Sequence, residues 1–316
     1  MDPLHVGIIG CGHLAQWVHL PVLAKLPGVR VVAVADADPQ RLPPGLPGFT
    51  DYRHLLAQPN LHAVIIAAPN AVHAEIAMAA FQRGKHVYLE KPIAPSLAEA
   101  ERIVAAWRAA GTVGMIGFNY RFNPLNQQLR QALRAGRVGD LVTARSVFCV
   151  ACRTLPDWKQ SRKTGGGVLL DLASHHVDLV RFLFGEEIRV VSATVRSMHA
   201  EADTATLELR LANGLLVQSY FSWGAVEEDR FEVYGTAGKL VVDRYRAGFI
   251  YRLRKRFVPG RELSYLTALS QFVDAVRTRQ PLQPDLADGY RSLAVIIAAE
   301  ESARTGRTIE LGANHE

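Results

Sequence analysis

The sequence predicts an α/β protein with two domains: an N-terminal doubly wound parallel sheet and a C-terminal α+β domain with a large, mostly antiparallel open sheet. The chain has 316 residues, whereas single hydrophobic cores stop growing at about 250–300 residues. Apolar strand-like runs alternate with helical patterns in the first part of the chain, which is typical of a parallel sheet. Long runs of alternating β-formers dominate after about residue 122. We therefore place one domain at 1–121 and the other at 122–316.

Short apolar runs that end in turn residues predict the strands of the first domain. These runs are residues 4–10, 29–36, 62–68, 86–90 and 113–118. Amphipathic patterns between them predict helices, at 13–26, 51–57, 71–84 and 96–110. Pro27-Gly28 and Gly84 follow two of these helices, where proline and glycine commonly end a helix.

The second domain is predicted to contain a different arrangement, with many strands in succession. Its β-rich runs cover 141–153, 188–198, 203–211, 214–223, 230–235 and 239–243. Its helices are expected at 124–135, 168–184, 264–279 and 288–305. Strands that follow one another without helices between them indicate a largely antiparallel sheet.

Composition narrows the classes of function. Hydrophobic residues make up 49% and charged residues 21% of the chain, as in globular proteins. No apolar run approaches the ~20 residues that a membrane helix needs. The apolar run at the N-terminus leads directly into a glycine loop, unlike a signal peptide. We therefore expect a cytoplasmic protein without a membrane partner.

The charge distribution argues against a nucleic-acid partner. The formal net charge is +6, and the basic residues are spread along the chain. One cluster, at 252–256, is interleaved with apolar residues. This cluster either lies on a solvated face or attracts an anionic substrate.

The cysteines indicate buried thiols in a reducing compartment. The three cysteines are a sparse, odd set for a chain of this length. Cys149 and Cys152 form a C-x-x-C within a predicted strand, where residues three apart point to opposite faces. They would not converge on a metal ion, and we expect no metal site.

A glycine-rich loop between the first strand and the first helix indicates a dinucleotide site. It is Gly10-Cys-Gly12-His13-Leu14-Ala15, the G-x-G-x-x-A pattern of Rossmann domains. Gly10 permits a tight turn, Gly12 lets a pyrophosphate approach the backbone, and Ala15 permits close helix packing. The phosphates would lie at the helix N-terminus beside His13 and Leu14, where free N–H groups favour an anion.

An acidic residue after the second strand indicates NAD rather than NADP. Asp36 lies 24 residues after Gly12, near the ~20 expected for the carboxylate that binds the adenosine ribose. A carboxylate there accepts hydrogen bonds from ribose hydroxyls and repels a 2′-phosphate. Asp38 is the alternative ribose ligand, but the strand-end position favours Asp36.

Further motifs resemble the Gfo/Idh/MocA oxidoreductases, the group of glucose-fructose oxidoreductase and inositol dehydrogenase. The similar blocks occur in the family's order at 67–94 (AAPNAVHAEIAMAAFQRGKHVYLEKPIA), 117–124 (GFNYRFNP), 165–185 (GGGVLLDLASHHVDLVRFLFG), 233–243 (VYGTAGKLVVD) and 281–311. The resemblance covers nearly the whole chain. It is specific for the family and much less specific for a substrate.

The resemblance implies a catalytic Lys–Asp–His trio, which maps onto Lys91, Asp171 and His175. Lys91 follows a parallel strand at the carboxyl end, where ligands bind in such sheets. Asp171 and His175 are four residues apart on a predicted helix and share one face. A neutral imidazole at His175 is suited to take a hydroxyl proton while hydride moves to a nicotinamide.

Residues next to the trio are expected to have structural or supporting roles. The resemblance implies a cis bond before Pro92. His176 points about 100° away from His175 on a helix, so we expect it to pack in the core or against a partner. Asp178 lies one turn beyond His175 and either orients that ring or supports the helix.

Other candidates lie beside the expected cofactor or at the domain junction. The residues after the third strand and before the catalytic lysine are expected to line the cofactor pocket: Pro69, Asn70, His73 and Glu90. Tyr120 and Arg121 lie where the chain crosses between domains and are expected to contact substrate. Arg121 either binds cofactor or substrate or clamps the domains.

A cationic loop before the glycine run is a second candidate for substrate contact. It contains Trp158, Lys159, Arg162 and Lys163. Cationic side chains are suited to bind a carboxylate or phosphate of a substrate. The alternative is that this loop is solvated and contacts no substrate. Trp158 and Arg162 are our candidate substrate ligands.

These observations favour an NAD-dependent oxidoreductase that acts on a secondary alcohol or ketone of a sugar, cyclitol or nucleotide sugar. One alternative retains NAD and recycles it within each turnover, as in glycosidase-like relatives. Another is a dinucleotide-binding sensor without catalysis. The family resemblance also implies a homodimer or homotetramer, since the large sheet has a face suited to burial against a second subunit.

Overall fold

The computed structural model describes residues 2–151, 162, 166–245 and 263–312. These residues form two compact units. The first holds the chain up to Phe122 and a later segment that ends at Tyr290. The second begins at Asn123, is interrupted by that segment and resumes at Arg291. No helix among the described residues is long and apolar enough to cross a membrane.

The first unit is built on a six-stranded parallel sheet. Its strands are β1 (Leu4–Ile9), β2 (Val29–Ala35), β3 (Gly48–Phe49), β4 (Ala63–Ile66), β5 (His86–Leu89) and β6 (Gly114–Ile116). They lie in the order β3-β2-β1-β4-β5-β6, with parallel pairing throughout. This is the Rossmann order, and the direction of winding reverses between β1 and β4. The doubly wound sheet predicted from the sequence is confirmed.

Helices connect these strands, and local sequence signals explain their ends. A π-helical segment, Ala15–His19, continues into α1 (Leu20–Leu23); α2 (Tyr52–Leu56), α3 (His73–Gln82) and α4 (Leu97–Ala110) follow. The Ser96 side chain accepts a hydrogen bond from the N–H of Glu99, which caps the start of α4, and donates one to the Glu99 carboxylate. Gly111 in the left-handed conformation ends that helix.

One helix lies in a different unit from the one predicted. The segment 122–316 was assigned to the second domain, but α7 (Leu263–Thr278) belongs to the first unit. Its Ala268, Leu269 and Phe272 are buried in the same hydrophobic cluster as Tyr88 of β5. The periodicity of this segment specifies an apolar helical face, and that face is equally suited to either sheet.

The second unit contains a seven-stranded mixed sheet. Its strands are β7 (Leu141–Cys149), β8 (Ile188–Arg196), β9 (Thr204–Leu211), β10 (Leu216–Ser222), β11 (Glu228–Gly235), β12 (Gly238–Asp243) and β13 (Ile309–Glu310). The order is β12-β11-β7-β10-β9-β8-β13. The pair β7 and β10 is parallel, and the other pairs are antiparallel. The prediction of a large, mostly antiparallel sheet is confirmed.

This sheet has one buried and one exposed face. Along β9, Leu207 and Leu209 are buried, whereas Glu208 and Arg210 are exposed, as strand alternation requires. The helices of the unit are α5 (Pro124–Arg134), a π-helical segment (Leu169–Ala173) that continues into α6 (Ser174–Phe184), and α8 (Leu286–Thr305), whose first residues belong to the first unit.

The cysteines follow the prediction where they are described. Cys11 and Cys149 are buried free thiols. Burial raises the pKa of Cys11 to about 11 and that of Cys149 to about 12, so both thiols are neutral at pH 7. Cys152 lies outside the described residues.

Candidate functional site

The glycine loop follows β1 at the point where the winding of the sheet reverses. Gly10 has φ +92°, a conformation that favours glycine. A Cβ atom there would lie 2.5 Å from the backbone carbon of Ala67, beyond the end of β4. Gly10 therefore permits close packing of two loops at the crevice where doubly wound sheets bind ligands.

Gly12 has a different environment, which fits a bound pyrophosphate. Among the described residues, no atom beyond its immediate neighbours lies within 4 Å of the position of a Cβ on Gly12. The absence of a side chain there therefore leaves open space rather than relieving a clash within the protein. His13 is exposed and Leu14 is half-buried at the start of the following helix, where unpaired N–H groups favour an anion.

The two glycines are expected to respond differently to substitution. Gly12→Ala should leave the melting temperature within about 2 °C of wild type, because nothing in the described chain opposes its methyl group, and weaken NAD binding at least about tenfold, or ~1.4 kcal/mol. Gly10→Ala should destabilise the fold by several kcal/mol through its clash and positive φ. Calorimetric melting and NAD titration test both. Unchanged NAD affinity in Gly12→Ala would contradict this role.

Asp36 joins the end of β2 to the glycine loop. Its Oδ2 accepts a hydrogen bond from the N–H of Cys11 at 2.7 Å, and its Oδ1 accepts one from the N–H of Asp38 at 2.9 Å. Each carboxylate oxygen retains acceptor capacity for a ribose hydroxyl. Asp38 instead caps a short helical turn through the N–H of Gln40 and forms an ion pair with Arg41. The geometry favours Asp36 over Asp38 as the ribose ligand.

Neutralising Asp36 should reduce the preference for NAD. In Asp36→Asn we expect NAD affinity to fall about tenfold, the value of one charge-assisted hydrogen bond, and NADP affinity to rise because the repulsion of a 2′-phosphate is removed. Asp38→Asn is the matched control and should change either affinity less than about threefold. Titration of both cofactors into each variant measures this. An equal effect of the two substitutions would remove the distinction between these aspartates.

Lys91 follows the carboxyl end of β5 and is half-buried. The Lys91–Pro92 peptide bond is cis, as the resemblance implied. Glu90, an expected cofactor ligand, is buried, and its Oε1 lies 2.9 Å from Nε2 of the buried His19. His73, also expected at the cofactor, is buried between two carbonyl groups.

The loop after β4 supplies the other expected cofactor contacts. Pro69 is exposed and Asn70 is buried directly before α3. Tyr120 is buried in a short helical turn after β6. The neighbouring Arg121 forms a buried ion pair with Asp288, with 3.2 Å between the guanidinium and the carboxylate. Both partners belong to the first unit, so this ion pair joins two segments that are distant in sequence within that unit.

Asp171 and His175 lie in the second unit on one continuous helix. Asp171 is in the π-helical segment and His175 in the first turn of α6, and both are half-buried beside buried neighbours. The His175 ring forms a T-shaped contact with Phe148 of β7, with 6.3 Å between ring centroids. Single-turn π segments occur frequently at functional sites. The other π segment in the described chain, Ala15–His19, directly follows the glycine loop.

Residues next to His175 have structural partners. His176 is buried and stacks on Phe148, with its edge against Phe221, so the prediction that it packs in the core is confirmed. Asp178 is fully buried and accepts a hydrogen bond from the hydroxyl of Ser292. Its Oδ1 lies 3.6 Å from Nη1 of Arg181. These contacts fit the interpretation that Asp178 supports the helix.

The structure places one candidate substrate ligand in an ion pair. The guanidinium of Arg162 binds both carboxylate oxygens of Glu300 on α8, with one contact at 3.0 Å. This bidentate pair uses two of the five N–H donors of the guanidinium, and the substrate contact of Arg162 stays a prediction. Trp158, Lys159 and Lys163, and the basic cluster at 252–256, lie outside the described residues.

Sequence reasoning did not identify His19 or Asp288, because their partners are distant in the chain. His19 and Glu90 are 71 positions apart, and Arg121 and Asp288 are 167 apart. For His19, the sequence offered one signal: a histidine on the buried side of the first helix. A single sequence contains no signal that pairs it with Glu90.

A glycine loop at the reversal point of a Rossmann sheet, with an acid after β2, defines a dinucleotide-binding protein. The chain matches the family model for an oxidoreductase family with an NAD-binding Rossmann fold over residues 4–118. It matches the GFO/IDH/MocA C-terminal domain over residues 126–241. The chain therefore belongs to the GFO/IDH/MocA oxidoreductase family, and the resemblance stated from its motifs is confirmed.

Similar proteins match along nearly the whole chain. It is 30% identical to D-apiose dehydrogenase of Paraburkholderia graminis, over 96% of this chain and 88% of the relative. It is 26% identical to myo-inositol 2-dehydrogenase of Thermotoga maritima, over 98% of each. The crystal structure of GenD2 from gentamicin A biosynthesis, in complex with NAD, is similar with a TM-score of 0.90 and 26% identity, over 99% of this chain and 97% of that chain.

Proposed function

We propose that this oxidoreductase transfers a hydride between NAD and a secondary alcohol or ketone of a sugar, cyclitol or nucleotide sugar. The proposal rests on the open space at Gly12, in the glycine loop that Asp36 contacts, because a pyrophosphate would fit there at a helix N-terminus. The names of similar proteins, which include an inositol and an apiose dehydrogenase, support the substrate class.

Gly10, Gly12, His13, Leu14 and Asp36 would hold the dinucleotide in this proposal. Bound NAD supplies the hydride acceptor. A carboxylate at Asp36 favours free ribose hydroxyls, so we propose NAD as the cofactor rather than NADP. Asp36 and the glycine loop are held together by a hydrogen bond within the protein, and this arrangement needs little rearrangement on binding.

Lys91 is proposed to bind the reacting oxygen of the substrate. Its ammonium group donates a hydrogen bond to the hydroxyl and stabilises the negative charge that develops as the proton leaves. Its position after β5 places it at the edge of the sheet where ligands bind in this fold.

His175 is proposed to act as the general base and Asp171 as a ligand to a substrate hydroxyl. A neutral imidazole takes the hydroxyl proton during oxidation and returns it during reduction. The carboxylate of Asp171 accepts a hydrogen bond from the polyol. Their common helix, which starts with a π turn, supports a joint role for the two residues.

We also propose that the protein is a homo-oligomer and that it is cytoplasmic. In the proposed homo-oligomer, the exposed face of the large sheet, which includes Thr206, Glu208 and Arg210, would contact a second subunit. The neutral, buried thiols of Cys11 and Cys149 support a cytoplasmic location.

A panel assay tests the reaction. Absorbance at 340 nm would be followed with NAD, and separately with NADP, over inositols, free sugars, sugar acids and nucleotide sugars. We expect NADH with one class of polyol and at least tenfold less NADPH. Binding of NAD without NADH formation across the whole panel would contradict the proposed reaction.

A further inference from the structure

We infer that two buried histidines, His19 and His73, are positioning residues that hold the Lys91–Pro92 segment from both sides. This inference rests on the proposed role of Lys91. The two rings contact the segment on either side of that lysine, at Glu90 and at Pro92. All five residues belong to the first unit.

His19 holds the segment on the N-terminal side of Lys91. It ends the π segment that follows the glycine loop, and its ring is fully buried. Its Nε2 lies 2.9 Å from Oε1 of Glu90. The same carboxylate lies against Gly117, where a Cβ atom would be only 2.8 Å from Oε2. Glu90 is therefore confined between His19 and the backbone after β6.

His73 holds the segment on the C-terminal side. Its Nδ1 lies 2.9 Å from the carbonyl oxygen of Pro92, and its Nε2 lies 2.9 Å from that of Ala68 in the loop after β4. Burial lowers the pKa of His73, so the ring is neutral at pH 7 and donates its one N–H to one of these oxygens. The ring lies between the segment that contains Lys91 and the loop against which Gly10 packs.

The contacts of His19 with Glu90 and Tyr88 would be a costly way to stabilise the fold alone. Nδ1 of His19 and the hydroxyl of the buried Tyr88 have no hydrogen-bond partner among the described residues. Buried polar atoms without partners reduce stability, and apolar side chains of similar volume often pack as well as a buried ion pair. The geometry instead favours a positioning role. The segment that follows the glycine loop contacts Glu90 through His19, and α3 contacts the carbonyl of Pro92 through His73, so the residues on both sides of Lys91 are held.

Matched substitutions separate positioning from general stability. His19→Gln retains an amide N–H near the position of Nε2, whereas His19→Leu removes the donor. We expect His19→Leu to lower kcat about 30- to 100-fold, the loss typical of a displacement of about 1 Å at a reacting group. The substrate KM and the NAD Kd should stay within about threefold. His19→Gln should retain kcat within about threefold of wild type.

A second pair tests His73 and covers the case in which His19→Leu fails to fold. Asparagine places an amide nitrogen near the position of Nδ1, and glutamine places one near Nε2. His73→Asn keeps the contact with Pro92, and His73→Gln keeps the contact with Ala68. We expect the larger loss of kcat in His73→Gln.

Hydrogen exchange of the cofactor-free protein gives a readout independent of turnover. Amides of peptides that cover 86–94 should exchange faster in His19→Leu and at the wild-type rate in His19→Gln. Equal effects of both His19 variants, or faster exchange across all peptides alike, would overturn the inference. Lys91→Met is measured in parallel: if that variant keeps its activity, the proposed role of Lys91 fails, whereas an inactive Lys91→Met beside a fully active His19→Leu overturns only the positioning role.

Discussion

Replacing His175 with alanine is expected to lower kcat by about 10²–10⁴-fold, the range that general acid–base catalysis contributes. Without the imidazole, the substrate hydroxyl must lose its proton to water while hydride leaves. The NAD Kd should stay within about threefold, because the proposed dinucleotide ligands belong to the first unit and His175 to the second. Steady-state kinetics and NAD titration of the same preparation measure both quantities.

Two further observations make this result specific for His175. His199 is an exposed histidine in the same unit, and His199→Ala should change kcat less than about twofold. The increase of kcat/KM with pH that reports the general base in the free enzyme should be lost in His175→Ala and retained in His199→Ala. If His175→Ala retains full kcat, another residue is the base.

Replacing Lys91 with methionine is expected to lower kcat/KM by about 10²–10³-fold, the typical loss when one donor to a developing negative charge is removed. Methionine keeps the length and much of the apolar stem of lysine and removes the ammonium group. The loss should be mainly in kcat, because charge on the substrate oxygen develops chiefly in the transition state.

An exposed lysine of the same unit, Lys25, provides the control. Lys25→Met removes the same charge and should leave kcat/KM within about twofold of wild type. The two variants therefore separate a local hydrogen bond from a general effect of net charge. Activity of Lys91→Met equal to that of Lys25→Met would exclude Lys91 from the reaction.

Local patterns predicted the elements and the dinucleotide motif because both depend on neighbours in sequence. The alternation of apolar runs with helical periods indicated a parallel sheet, and the spacing of Gly10, Gly12 and Asp36 matched the end of β1 and the end of β2. The same patterns did not show the π-helical start of either helix, since the i→i+5 hydrogen bonds depend on packing around the turn.

Long-range pairing explains most of what the sequence did not predict. The cationic neighbours of Arg162 did not predict that its guanidinium binds Glu300, 138 positions away. The helix that contains Phe272 was assigned to the second domain by its place in the chain, but its apolar face packs beside Tyr88. Charge and periodicity specify what kind of partner a side chain needs, whereas only the tertiary fold specifies which one.

Hydride transfer itself is measured most directly with a substrate from the active class that is deuterated at the reacting carbon. Reaction with unlabelled NAD, followed by mass spectrometry of the cofactor, determines where the deuterium goes. We expect one deuterium in each reduced nicotinamide formed, with none in Lys91→Met or His175→Ala beyond their residual turnover. Release of the deuterium to water, with none in the nicotinamide, would contradict a direct hydride transfer by this protein.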